Sequence, residues 1–224
     1  PWPDGWRTRT TLMGVINVTP DSFSDGGRFL QADLAVAQAE VQLRPGADVL
    51  DLGAQSTRPG DGEVGAEEEL RRLLPPLRRI RERFHDALIS VDTFLAPVAG
   101  AALDAGADWV NDISAGRRDP GMLPLIAAAG CPVVLMHSRG NSRTMDQLTD
   151  YTDVVQEVRE GLEERTDSAL KAGISMDQII WDPGLGFAKT TEQNLQLLKG
   201  LDRLSPEGVP LLVGPSRKRF IGTV

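Results

Sequence analysis

The chain has 224 residues, 41% of them hydrophobic and 25% charged, enough for one sizeable core and a length that a single α/β barrel commonly reaches. Lys and Arg total 24 against 32 Asp and Glu, a formal net charge of -8 that argues against a generic nucleic-acid or anionic-membrane surface. A single cysteine, Cys131, precludes an intrachain disulfide and suits a reducing, cytoplasmic setting, and no apolar run has the length of a transmembrane helix.

Taken in chain order, short apolar runs alternate with helical stretches. Apolar runs at residues 11–17, 47–53, 87–92, 107–112, 131–137, 178–182 and 209–214 each lead into a polar cluster. Their apolarity is continuous rather than alternating, which predicts parallel strands buried on both faces. Between them, residues 33–43, 67–84 and 151–172 carry apolar positions at helical spacing. Gly46, Gly106, Gly130 and Gly173 each precede a run, where a helix C-cap belongs. Seven βα units are thus visible. The glycine fingerprint of a dinucleotide-binding sheet is absent after the first run. Polar residues end almost every run: Asn17, Gln55 and Ser56, Asp92, Asn111, His137, Asp182 and Ser216. In a barrel those ends converge on one mouth, whereas in an open sheet they form a line. The expected fold is therefore α/β, a TIM (β/α)8-type barrel. Because the chain opens at Pro1 and stops just after the seventh run, one domain over residues 1–224, incomplete at its C-terminal side, is expected.

Three loops concentrate chemistry. The first, residues 17–27, is long and polar around Phe23, and it reads either as a solvated connection or as part of a site. The second brings Ser56, Thr57 and Arg58 to the same mouth, a set suited to an oxyanion such as phosphate. The third follows the seventh run with Ser216, Arg217, Lys218 and Arg219, where barrels often hold phosphate. Asp92, Asn111 and Asp182 end apolar runs, so each must be paired or hydrogen-bonded at the edge of a dry interior. A carboxylate there suits two adjacent N–H donors, and an Asn suits a mixed edge, as on a guanine-like or pterin-like ring, with Lys218 as a further donor. Asp112 and Ser114 read equally well as caps of the next helix. His137 has no second histidine nearby and Cys131 no partner, which excludes a His/Cys metal cluster, and Cys131 is expected to be inert core.

Six segments, in order, carry a family resemblance. Met13-Gly-Val-Ile-Asn-Val-Thr-Pro-Asp-Ser-Phe-Ser-Asp-Gly-Gly27 and Ala47-Asp-Val-Leu-Asp-Leu-Gly-Ala-Gln-Ser-Thr-Arg-Pro-Gly60 resemble the first two signatures of the dihydropteroate synthase family of pterin-binding barrels. Ser90-Val-Asp-Thr93, Val110-Asn-Asp-Ile-Ser114, Asp182-Pro-Gly-Leu-Gly-Phe187 and Gly214-Pro-Ser-Arg-Lys-Arg-Phe-Ile-Gly222 continue the series. The resemblance implies condensation of 6-hydroxymethyl-7,8-dihydropterin pyrophosphate with p-aminobenzoate, giving dihydropteroate and pyrophosphate, with Mg²⁺ assisting. It is the folate-pathway reaction that sulfonamides inhibit. By motif position, Asp92, Asn111, Asp182 and Lys218 would bind the pterin, and Asn17 would contact Mg²⁺ and the pyrophosphate. Thr57 and Arg58 would lie on the second loop, with Thr57 near the diphosphate. Phe23, Phe187, Ser216 and Lys218 would shape the p-aminobenzoate side. A homodimer is also implied. Ala54-Gln55 departs from the family's Gly-Glu, an expected change in a supporting contact. The family's eighth strand, with its Arg and His, has no counterpart here. A pterin-dependent methyltransferase and a non-catalytic pterin-binding module are the alternatives.

Overall fold

The computed structural model describes residues 1–18, 28–55, 64–141 and 143–223, in two compact units that divide between Asn111 and Asp112. The first unit alternates β1 (Met13–Asn17), α1 (Arg28–Leu43), β2 (Val49–Gly53), α2 (Ala66–Arg83), β3 (Leu88–Asp92), α3 (Ala96–Asp104) and β4 (Trp109–Asp112), whose last residue opens the second unit. These strands pair in parallel and in sequence, β1 with β2, β2 with β3 and β3 with β4. Ile16, Leu50, Leu52, Ile89 and Val91 face Leu73, Leu77 and Ile80 of α2 in one fully buried cluster. Helix α2 runs through Pro75 and Pro76, although proline removes a helical N–H; Pro76 itself is buried beside Leu73 and Leu77.

Continuous burial holds for β2 and β4 but not for β1, where Val15 is 53% exposed while Ile16 is buried. Beneath β4, the Trp109 indole donates to the Pro1 carbonyl at 2.8 Å, and Trp2 packs on both Trp6 and Trp109.

The second unit holds α4 (Met122–Ala129), β5 (Val133–Met136), α5 (Val154–Lys171), β6 (Ile179–Asp182), α6 (Thr191–Lys199) and α7 (Leu201–Leu204). Strands β5 and β6 are parallel, Met136 standing opposite Asp182. The seventh expected strand shrinks to one bridge, Leu211 beside Trp181, with two backbone hydrogen bonds around it. Pro210 and Pro215 bracket that run without N–H groups to extend a ladder. The four glycines expected at helix ends all take positive φ, from 65° to 109°.

Candidate active site

In the first unit, strand register builds the site. Asn17 pairs with Gly53, Gly53 with Asp92, and Asp92 with Asn111, so one row at the C-terminal strand ends crosses all four strands. Three of those four residues are expected site residues. The fourth has no side chain, and a Cβ on Gly53 would lie 3.4 Å from Asp92 Oδ2 and 3.8 Å from Asn17 Oδ1. A methyl there would be in van der Waals contact with both oxygens, a contact that glycine avoids.

One row deeper sits Asp51, opposite Ser90 and 4% exposed. Its Oδ2 accepts from Asn111 Nδ2 at 3.1 Å. Burial pushes the Asp51 carboxyl above its ordinary range, opposed in part by Ser90 and Asn111. The bond commits the Asn111 amide nitrogen and leaves its buried Oδ1 without a hydrogen-bond partner among the described residues. A buried orphan acceptor is costly unless a ligand donor meets it.

Gln55, at the Ala54-Gln55 departure, is buried. Its Nε2 donates to Glu69 Oε2 at 2.6 Å and to the Val64 carbonyl at 3.2 Å, while its Oε1 accepts from the Val64 N–H. An amide thus meets Glu69 with a donor where a second carboxylate would repel it. Burial raises the Glu69 carboxyl. Thr57, Arg58 and Phe23 lie outside the described residues.

In the second unit, Trp181 anchors β6 by donating from its indole to Thr166 Oγ1 at 2.8 Å. The next residue, Asp182, ends β6 and is partnered, as a carboxylate at the edge of a dry interior must be. Its Oδ1 accepts the Gly184 N–H at 2.7 Å, and Lys189 attracts it electrostatically. Phe187 is half-buried, with the Lys218 ammonium 4.1 Å from its ring centroid, a cation–π contact between two expected site residues. Ser216 is exposed in the turn that Lys218 closes by donating to the Pro215 carbonyl at 3.2 Å. Of the other cations there, Arg219 pairs with Asp146 on the surface. Asp112 is a turn anchor, its two oxygens accepting the Ser114 and Gly116 N–H groups at 2.7 Å.

Sequence reading missed Lys189. It is 9% exposed, and its Nζ lies 2.9 Å from the Phe187 carbonyl, 3.1 Å from that of Gly184, 3.4 Å from that of His137 and 3.2 Å from His137 Nδ1. Burial, together with the charges of Lys189, Arg117 and Arg139, pushes the His137 imidazole down to about 2. It is therefore neutral, accepting at Nδ1. A histidine neutral when folded and titrating near 6.5 when unfolded stabilises fully above that value, and loses the stabilisation as pH falls from there toward 2. The slope is up to about 1.4 kcal/mol per pH unit, or about 2 kcal/mol by pH 5. His137→Asn should lose less stability than the parent between pH 6.5 and 5, by about that amount. Urea unfolding at both pH values checks this, and parallel losses would mean that His137 is not buried neutral.

Among the described residues no three His, Cys, Asp or Glu side chains gather as a metal cluster, and no helix is long and apolar enough to cross a membrane. Cys131 is buried, and burial raises its thiol.

Residues 13–224 match the family described as pterin binding enzyme. The dihydropteroate synthase of Synechocystis sp. is 49% identical over 98% of this chain and 75% of its own length. A Xanthomonas albilineans dihydropteroate synthase solved with 4-aminobenzoic acid has a TM-score of 0.89 at 47% identity, covering 96% of this chain and 76% of that one. The same organism's enzyme in complex with 7,8-dihydropteroate gives 0.85 at 44%, again over 96% and 76%. The fold class is the expected α/β, TIM-type (β/α)8 one. With the motif residues at their strand ends and relatives this close over nearly the whole chain, the protein belongs to the pterin-binding enzymes, and among them to the dihydropteroate synthases of folate biosynthesis.

Proposed function

We propose that the chain condenses 6-hydroxymethyl-7,8-dihydropterin pyrophosphate with p-aminobenzoate, with Asp92, Asn111, Asp182 and Lys218 as pterin-binding residues. The observation that carries this reading is the orphaned Asn111 Oδ1, buried in the register row that also holds Asn17 and Asp92. With its nitrogen bound to Asp51, Asn111 presents an acceptor alone, which suits a ring N–H or amino group. Asp182 adds a carboxylate, a charged acceptor suited to ring N–H donors, on a turn anchored by the Gly184 N–H. Lys218, poised over Phe187, offers donors to a ring carbonyl or nitrogen, and Phe187 and Ser216 flank the p-aminobenzoate side. By family resemblance, Thr57 would serve the diphosphate and Arg58 would lie on the same loop.

The reaction makes a good leaving group and a delocalised cation. It needs charge neutralisation at the diphosphate and carboxylates near the ring more than a strong general base. The amine of p-aminobenzoate is its own nucleophile. Mg²⁺ fits the donor set: Asn17 Oδ1 is a hard oxygen at an exposed strand end, and Mg²⁺ takes few protein ligands beside water and phosphate. When bound there, Mg²⁺ would neutralise diphosphate charge. A homodimer in the cytoplasm completes the proposal, with light scattering as the check on the dimer.

Pyrophosphate release measured with and without p-aminobenzoate tests the reaction. Release that depends on p-aminobenzoate, with dihydropteroate formed, supports it; pterin binding without release would leave a binding module. Asn17→Ala should lower turnover and weaken its Mg²⁺ dependence while a pterin lacking phosphates binds within about twofold of the parent, because an amide oxygen serves the metal and phosphates rather than the ring. A large loss of affinity for that bare pterin would remove this division of labour.

A further inference from the structure

We propose that Lys189 is a positioning residue for pterin recognition: its buried ammonium, held by the carbonyls of His137, Gly184 and Phe187, ties the turn after β6 to the end of β5 and so fixes the Asp182 carboxylate and the Phe187 ring. This rests on the pterin-site reading above and concerns a residue that touches no substrate.

The ammonium is surrounded by acceptors. An ammonium has three N–H donors, and Lys189 Nζ meets three carbonyls and one ring nitrogen within 3.4 Å. Each carbonyl belongs to a different piece of the site. His137 follows β5, and its N–H donates to the Asp182 carbonyl at 2.8 Å. Gly184 donates its own N–H to Asp182 Oδ1 while its carbonyl is held by Lys189. Phe187 carries the Lys218 ammonium on its ring and gives its carbonyl to Lys189. Removing the ammonium takes a donor from three carbonyls at once, those of His137 and Gly184 buried and that of Phe187 partly so. Asn194 supports the same turn from α6, accepting the Gly186 N–H at 2.8 Å and donating to the Lys189 carbonyl at 3.3 Å.

The charge of Lys189 is finely set. His137 and Arg139 face it from the end of β5 and the loop beyond, Asp182 from β6, and Lys218 from the C-terminal segment. Burial, Arg139 and Lys218 push the ammonium down and Asp182 pulls it up, leaving it at about 7. The ammonium is therefore full below that value and lost above it. The neutral amine keeps two N–H donors for the same four acceptors, so the turn loosens as pH rises.

The test measures the affinity of a dihydropterin lacking phosphates by calorimetry, with the intact chain as parent, Lys189→Met, Lys189→Arg and Asp182→Asn. The parent should lose about tenfold in affinity between pH 6 and pH 8.5. Lys189→Met should bind about tenfold more weakly at pH 6 and show no such limb, whereas Lys189→Arg, which keeps a charge, should recover most of the affinity and stay flat with pH. In steady state, Lys189→Met should raise KM for the pterin substrate with kcat changed less than threefold. A merely structural lysine would lower Tm yet leave the folded protein's Kd and its pH profile alone. A folded Lys189→Met that binds within twofold of the parent overturns the proposal. Should that variant not fold, a flat parent profile does the same. Asp182→Asn separates the two levels: normal affinity there overturns the pterin reading itself, whereas weak affinity there beside a normal Lys189→Met overturns only the role of Lys189.

Discussion

Gly184→Ala is expected to destabilise the protein by about 3–5 kcal/mol, enough to lower Tm by roughly 10 °C in a chain of this size. Two effects add. Gly184 has φ +67°, where an L side chain costs about 1 kcal/mol. A Cβ built there would sit only 1.9 Å from the His137 carbonyl oxygen, a backbone atom held in place by β5, so the turn itself must move. Moving it breaks the Gly184 N–H bond to Asp182 and the Lys189 contacts to Gly184 and His137 together. Gly130→Ala is the matched control, with φ +65° and nothing within 4 Å of its Cβ position, so it should show the conformational cost alone, about 1 kcal/mol. Chemical denaturation of both variants checks the difference. Equal losses would mean that the close approach of the two backbones does not constrain the fold.

The same turn marks where the sequence is legible and where it is not. The polar residues ending Met13–Asn17, Leu88–Asp92, Trp109–Asp112 and Ile179–Asp182 lie at C-terminal strand ends, and the row Asn17, Gly53, Asp92, Asn111 follows once parallel register is granted. Continuous apolar runs make that pattern readable, because a polar residue at the edge of a dry strand has few other uses. Asp51 was readable by the same logic: a carboxylate inside Val49–Gly53 has to be paired within the interior, and its partner is Asn111. Lys189 had no local signal. Among threonines and small residues at the start of α6 it looks like an ordinary surface lysine, and only the backward reach of its side chain to Gly184 and His137 makes it a tie. Glu69 hides likewise in the acidic run Glu67, Glu68, Glu69, whose first two members look solvated while the third turns inward to Gln55. The seventh run misled for the opposite reason. Its residues are apolar enough for a strand, but the prolines flanking Leu211–Gly214 leave a single bridge.

Asp182→Asn is expected to weaken pterin binding by about 1.5–3 kcal/mol, roughly 10- to 150-fold in Kd, with little change in stability. The substitution is nearly isosteric. Asparagine Oδ1 can still accept the Gly184 N–H, so the turn that Gly184 begins keeps its anchor and the strand above Trp181 is untouched. What disappears is the charge, and with it the charge-assisted bond proposed from the pterin's N–H donors; the new Nδ2 would face those donors with another donor. Calorimetry with a pterin lacking phosphates measures the loss, and an unchanged Kd in a folded variant would remove Asp182 from the ring site. The variant also carries a signed prediction for Lys189. Asp182 is the group that pulls the Lys189 ammonium up against burial, Arg139 and Lys218. Without it the ammonium is lost at lower pH than in the parent. Whatever pterin affinity remains in Asp182→Asn should therefore fall off earlier as pH rises, and a limb displaced toward alkaline pH would show that the two side chains do not share a field.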